Sequence, residues 1–264
     1  MNWKDEFPQE NRYLETDNGI LYNGEAINIM SKFPNGIFDA VITDPPYGTT
    51  KCKWDTVIPF DKMWRELKRI RKDRTPIVLF GSEPFSSYLR LSNIKEYKYD
   101  LVWQKQKPVN FFHLKRQFGK VTEYVHLFYK KQCKYNPQMT IIKNAKIGQK
   151  SGITKKSFNS ITSGTSTNYK IRPYIEKGTR YPINILKFNR VDESKYVHPT
   201  QKPLALLEYL VKTYTDEGDL VLDFTCGSGT TAMACEKLNR RWVGIELEEK
   251  YCGISKERIL GVKI

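Results

Sequence analysis

With 264 residues, 39% of them hydrophobic, the chain can bury a full core, which excludes a disordered tail and favours one domain carrying a large insertion. Its net charge of +15 is local: residues 101–190 hold 19 Lys and Arg against only Glu123 and Glu176, and the remainder is close to neutral, so a polyanionic partner, usually nucleic acid, is expected at the cationic middle. Five scattered cysteines without a CxxC pair exclude a disulfide framework and a zinc site and suit a reducing cytoplasm; neither a signal peptide nor an apolar run near the ~18 residues of a membrane span is present.

Apolar runs that read as strands alternate with segments of helical period, the pattern of an α/β layered domain with a mainly parallel sheet. Phe38–Thr43 (FDAVIT) predicts a buried strand ending at Asp44-Pro45-Pro46-Tyr47-Gly48. In Phe60–Lys72 the residues Phe60, Met63, Trp64, Leu67 and Ile70 fall on one helical face. Ile77–Phe80, Tyr99–Gln104 and Val121–Tyr129 follow as strands, the last (VTEYVHLFY) rich in aromatic and β-branched residues. Phe111-Phe112, ahead of Lys115-Arg116, suits either a core pair or side chains that insert among bases. His113 and His126 have no partner spacing that suggests a metal or a triad.

From about Lys130 to Tyr181 the pattern gives way to Lys, Ser, Thr, Asn and Gly, and SGITKKSFNSITSGTSTNYK has no hydrophobic period at all. Residues 136–180 therefore read as an insertion between core segments 1–135 and 181–264. A solvated loop would satisfy this composition; a basic, donor-rich loop lying along phosphates or base edges suits the charge better. Regular structure resumes over Tyr181–Phe188, followed by a helix from about Pro203 to Thr215, a strand at Leu220–Asp223, a glycine turn at Cys226–Thr230, a helix over Ala232–Leu238 and a strand at Trp242–Ile245 that ends in Glu246.

Two motifs carry chemistry. In the C-terminal unit, Gly227 and Gly229 let the backbone turn sharply and approach a ligand, while the next helix directs its first amides at the site. Glu246, 23 residues after Asp223, stands where a carboxylate can accept from both hydroxyls of a ribose, so a nucleoside cofactor is implied. The turn reads Gly227-Ser228-Gly229-Thr230-Thr231-Ala232, without the third glycine of a dinucleotide fingerprint, and no P-loop occurs. In Asp44-Pro45-Pro46-Tyr47-Gly48, the two prolines fix the backbone and make the Asp44 side chain and the Pro45 carbonyl a rigid pair of acceptors, with the Tyr47 ring beside them. Two acceptors suit an NH2 group. Holding both N–H bonds of a nucleobase amine favours a pyramidal nitrogen whose lone pair can attack an electrophile, and a flipped base can stack on Tyr47.

DPPYG, HPTQKP (His198–Pro203) and LDFTCGSGTT, in this order, resemble the amino-methylating DNA methyltransferases that use S-adenosylmethionine, specifically their β group, with the catalytic motif first, target recognition in the middle and the cofactor motif last. The resemblance covers about residues 20–135 and 181–258. It implies a doubly wound, mainly parallel seven-stranded Rossmann-like sheet with the basic insertion as target-recognition region. It further implies that Asp44, Pro45, Pro46 and Tyr47 hold the target amine and its base, that Asp223, Phe224, Thr225, Gly227 and Gly229 wrap S-adenosylmethionine, that Glu246 binds its ribose, and that Thr200 and Lys202 lie near its methionine end. Two positions depart from the pattern: Thr225 stands where many relatives have an aromatic, and Asn23-Gly24-Glu25 where an Asp is common.

The expected activity is methylation of adenine N6 in double-stranded DNA, with no metal. The resemblance also allows a cognate restriction endonuclease as partner and a homodimer. N4-cytosine methylation uses nearly the same acceptors, and the leading Asp of the tetrapeptide tilts the choice to adenine. An RNA or protein-amide methyltransferase, which usually begins the tetrapeptide with Asn, and a non-catalytic DNA-binding module are the other readings; intact Asp44, Gly227, Gly229 and Glu246 speak against the last.

Overall fold

The computed structural model describes residues 2–50, 52, 54–142, 145, 147–148, 177–190, 197–198 and 200–261. The stretch 151–170, read above as period-free, lies outside them. The chain divides into two compact units, one of residues 1–136 and 183–264 and one of residues 137–182.

In chain order the first part of the large unit contains β1 (Arg12–Glu15), β2 (Gly19–Asn23), α1 (Ala26–Met30), β3 (Ala40–Thr43), α2 (Phe60–Ile70), β4 (Ile77–Gly81), α3 (Phe85–Ser92), β5 (Tyr97–Gln104) and β6 (Thr122–Phe128). The small unit contributes β7 (Thr140–Ile141) and β8 (Thr179–Arg180), an antiparallel pair. The large unit then continues with β9 (Ile185–Lys187), α4 (Leu204–Tyr214), β10 (Leu220–Asp223), α5 (Thr230–Lys237), β11 (Arg241–Glu246) and α6 (Glu249–Ile259).

One sheet of nine strands runs β1-β2-β11-β10-β3-β4-β6-β5-β9. β6 is antiparallel to β4 and β5, β1 is antiparallel to β2, and the other pairs are parallel. Seven strands, from β2 to β5 in that order, form the expected sheet, and β1 and β9 extend its two edges, so the count is nine rather than seven. Both edge strands are short and half exposed: RYLE carries no apolar run, and in Ile185–Lys187 only Leu186 is buried. The patterning of β1 does not mark it as a strand, whereas β9 lies within the regular structure expected over Tyr181–Phe188.

The central strands read as unbroken apolar runs because both faces are covered. Val41, Leu79, Leu222 and Val243 pack on one side with Met63, Trp64 and Leu67 of α2 and residues of α1 and α3; Ala40, Ile42, Val78 and Val221 pack on the other with Leu206, Leu207, Leu210 and Val211 of α4 and residues of α5 and α6. From β10 the chain proceeds outward to β11, and from β3 to β4 on the opposite side, so strand order reverses between β3 and β10. In doubly wound sheets the crevice beyond the carboxyl ends at such a reversal is where ligands bind. Asp44 follows β3 directly, and Asp223 ends β10.

Candidate active site

A cavity of about 560 Å³ opens at this switch point, within the range of roughly 300–1,000 Å³ common for small-molecule sites. Its walls include all twelve residues singled out from sequence except Gly229: Asp44, Pro45, Pro46, Tyr47, Thr200, Lys202, Asp223, Phe224, Thr225, Gly227 and Glu246. Gly229 sits one step behind, as the N-cap of α5 in the left-handed region at φ +74°, where an added Cβ would also meet Ser255 at 3.0 Å.

At one end of the cavity, backbone donors dominate. The buried Glu246 carboxylate accepts from the amide of Gly227 at 2.8 Å and of Glu248 at 2.9 Å. Burial pushes its pKa up, opposed by those two amides. The glycine turn is braced from α6: Ser255 donates to the Gly227 carbonyl at 2.7 Å, and Arg258 donates to the Ser228 carbonyl and, at 2.8 Å, to its hydroxyl. His198, packed between Trp54 and Tyr251, lies 3.6 Å from where a Gly227 Cβ would be. Burial, with the nearby charges of Lys202 and Arg258, lowers its pKa to about 4, so the ring is neutral near pH 7. Thr200 Oγ1 lies 3.1 Å from His198 Nδ1.

At the other end, charged side chains dominate. Asp44 Oδ1 accepts from the Tyr47 hydroxyl at 2.5 Å, and Oδ2 accepts from the Lys202 ammonium. Lys202 is also 2.9 Å from Glu123 Oε1; Glu123 Oε2 accepts from Lys105 at 2.6 Å, and Tyr47 reaches Oε1 at 3.2 Å. Lys202, expected near a cofactor's methionine end, lines the cavity with its ammonium shared between the Asp44 and Glu123 carboxylates. Burial is the largest influence on both acids, but flanking by both lysines holds Glu123 down at about 2, whereas Asp44, with one lysine and the Glu123 charge nearby, is raised. The Tyr47 ring stacks on Phe85 at 5.0 Å, so the core backs it.

Between the two ends runs a seam of hydroxyls. Asp223 Oδ1 accepts from Thr43 at 2.7 Å and from the Thr225 amide at 3.3 Å; burial, against hydrogen bonds from Thr231 and Thr43, pushes its pKa up to about 6. Thr225, which departs from the usual aromatic, donates its hydroxyl to the Asp44 carbonyl at 3.1 Å and so joins the two motifs across 181 residues of sequence.

Asp55 was invisible to sequence reasoning, whereas Glu25 and His126 were noted there and take structural roles. Asp55 accepts four backbone amides, from Tyr47, Gly48, Thr49 and Thr50, at 2.6–2.9 Å, and clasps the loop that follows the prolines. Burial opposes its charge, yet the bonds from Thr50, Gly48 and Tyr47 outweigh it and lower its pKa. Glu25 caps α1 through the amides of Ile27 and Asn28, at 3.0 and 2.7 Å. His126 is held in the core by Asp100 at 2.6 Å and Ser86 at 2.8 Å. Among the described residues no group of three or more His, Cys, Asp or Glu is arranged to hold a metal, and no helix is long and apolar enough to cross a membrane.

A family model for N6/N4 DNA methylases matches residues 38–257. The type II methyltransferase M.HpaI of Haemophilus parainfluenzae is 27% identical over 257 residues, 90% of this chain and 73% of that protein. Among solved structures, the M1.HpyAVI–SAM complex is similar with a TM-score of 0.60 and 27% identity over 90% of this chain and 98% of that one. The PvuII cytosine-N4-specific DNA methyltransferase has the same fold, with a TM-score of 0.70 at 18% identity over 97% and 91% of the two chains.

Proposed function

The chain belongs to the N6/N4 DNA methylase family, and on that premise we propose that it transfers a methyl group from S-adenosylmethionine to N6 of adenine at a specific site in double-stranded DNA. One observation carries the reading: an aspartate-proline acceptor pair and a glycine turn with a buried acid face one cavity from adjacent parallel strands. The similar protein solved with SAM, at 27% identity, supports the donor, and the type II name of M.HpaI supports a companion restriction endonuclease. The residues suit such a donor. Glu246 has lone pairs left for two ribose hydroxyls, Trp54 and Phe224 supply aromatic wall, and the amides at the start of α5 supply positive potential.

When bound, S-adenosylmethionine supplies a methyl group on a cationic sulfur. The chain's own residues bind and orient the acceptor. Asp44 and the Pro45 carbonyl accept the two N–H bonds of the amine and turn its lone pair away from the ring. A carboxylate offers about four acceptor positions, so Asp44 can receive an N–H while bonded to Tyr47; Lys202 can withdraw toward Glu123, its second partner. Tyr47, backed by Phe85, takes the face of the base. As the N–C bond forms the nitrogen must shed a proton, and Asp44, whose proton affinity is raised by burial, is placed to hold it. Thr200, tied to His198, stays assigned to the methionine end, whereas the contacts of Lys202 favour the acceptor end.

Nucleoside mass spectrometry on DNA from cells expressing the protein, combined with modification-sensitive sequencing, tests the proposal. N6-methyladenine at one recurring site is the expected result. N4-methylcytosine there would overturn the adenine assignment, and no modified base would overturn DNA methylation itself.

A further inference from the structure

The loop between β5 and β6 combines positive charge, exposed aromatic rings and internal bracing. Over residues 105–121 it carries five cations and no acid. Phe112 is 96% exposed and Phe118 99% exposed, with Phe111 edge-on to Phe112 at 6.1 Å. The core-pair alternative for these phenylalanines is thereby excluded. The loop is nonetheless braced: the Val109 amide donates to the Lys120 carbonyl at 3.0 Å, and Asn110 bonds both the Phe118 carbonyl, at 3.0 Å, and the Lys120 amide, at 2.6 Å. Its root belongs to the active site, since Lys105 and Val109 line the cavity and Lys105 pairs with Glu123. Among the described residues, Lys107, Lys115 and Arg116 have no acidic partner.

Large aromatic side chains held in water on a braced, cationic loop stabilise nothing in the free molecule; such a patch marks an interaction surface. Its charge selects a polyanion, and its position at the rim of the cavity selects the part of the DNA next to the base being modified. Extruding that base leaves a gap in the stack, and proteins that distort DNA commonly fill such gaps with an apolar wedge. We propose that Phe112 is this wedge: it enters the stack where the target base has left, while Lys115 and Arg116 hold the flanking phosphates. The inference rests on the proposed DNA methylation, whichever of the two amines is the target.

Phe112→Ala and Phe112→Trp separate this role from a structural one. On a duplex carrying the mapped site, kcat/KM of Phe112→Ala should fall about 10- to 100-fold, the scale of one lost stacking contact. On the same duplex with the target base mispaired, where unstacking is already cheap, the loss should shrink to about threefold or less, and Phe112→Trp should stay close to wild type on both. Equal losses on the two duplexes, or no loss on the paired one, would overturn the wedge. Wild-type turnover on the paired duplex tests the underlying reading separately, and an unchanged melting temperature, expected for a side chain so exposed, shows that the fold is intact.

Discussion

The two ends of the cavity are made of different materials. Around Glu246 the partners are backbone amides held by a glycine turn that α6 braces. Around Asp44 the partners are a hydroxyl and a buried ammonium, and that ammonium is shared with a second carboxylate. In the proposed reaction the donor would meet backbone groups and the extruded base would meet side chains already satisfied by internal partners, which keeps the buried Asp44 carboxylate paired in the free protein.

Substitutions can break this contrast. The largest effect is expected from Asp44→Ala, which should cut turnover by about 10²–10³-fold while leaving S-adenosylmethionine affinity, measured by calorimetry, within about threefold. Full turnover would remove Asp44 from the chemistry. Glu246→Ala should do the reverse, weakening donor binding about 10- to 100-fold through the loss of charge-assisted hydrogen bonds, with kcat at saturating donor nearly unchanged. A collapse of kcat at unchanged affinity would mean that the ends are not functionally separate.

The last effect concerns pH and stability. Glu123 titrates at about 2 in the folded protein against an ordinary value of 4.5, so its stabilisation is complete above 4.5 and is lost as pH falls toward 2. Between pH 5 and pH 3 this amounts to about 2 kcal/mol. Asp223, raised from 3.8 to about 6, acts with the opposite sign: its contribution is present below 3.8 and is lost as pH rises through 6. Urea unfolding of wild type and Glu123→Gln across the acid range should therefore show a flatter profile for the variant below pH 4.5. Parallel profiles would show that Glu123 is not held ionised by its two lysines.

The hinge points of the site were legible because they are contiguous. The strand FDAVIT with its DPPYG, and the strand-turn-helix around Gly227, each state a local geometry in a few adjacent residues. The strand Leu220–Asp223 lies within the bounds its apolar run predicts, and the helix predicted from Pro203 is formed from Leu204 to Tyr214. What stayed hidden is assembled across the chain. Lys105, Glu123 and Lys202 come from two strand ends and a distant motif, and no local pattern announces that they pair. Glu123 offered one clue, an acid inside the apolar run VTEYVHLFY of an otherwise acid-poor segment. Asp55, Ser255 and Arg258 offered none, since a side chain that bonds backbone groups follows no hydrophobic period. The helix Ala26–Met30 is too short for its period to register, and the edge strand β1 is too exposed.

Trp54 and Asp55 are neighbours, yet the indole leans on the imidazole beside the glycine turn while the carboxylate ties down the four amides after the prolines. A molecule seated against that indole would lie one residue from the carboxylate that anchors the strap bearing the stacking ring. The two compartments of the proposed reaction thus share a wall one peptide link thick.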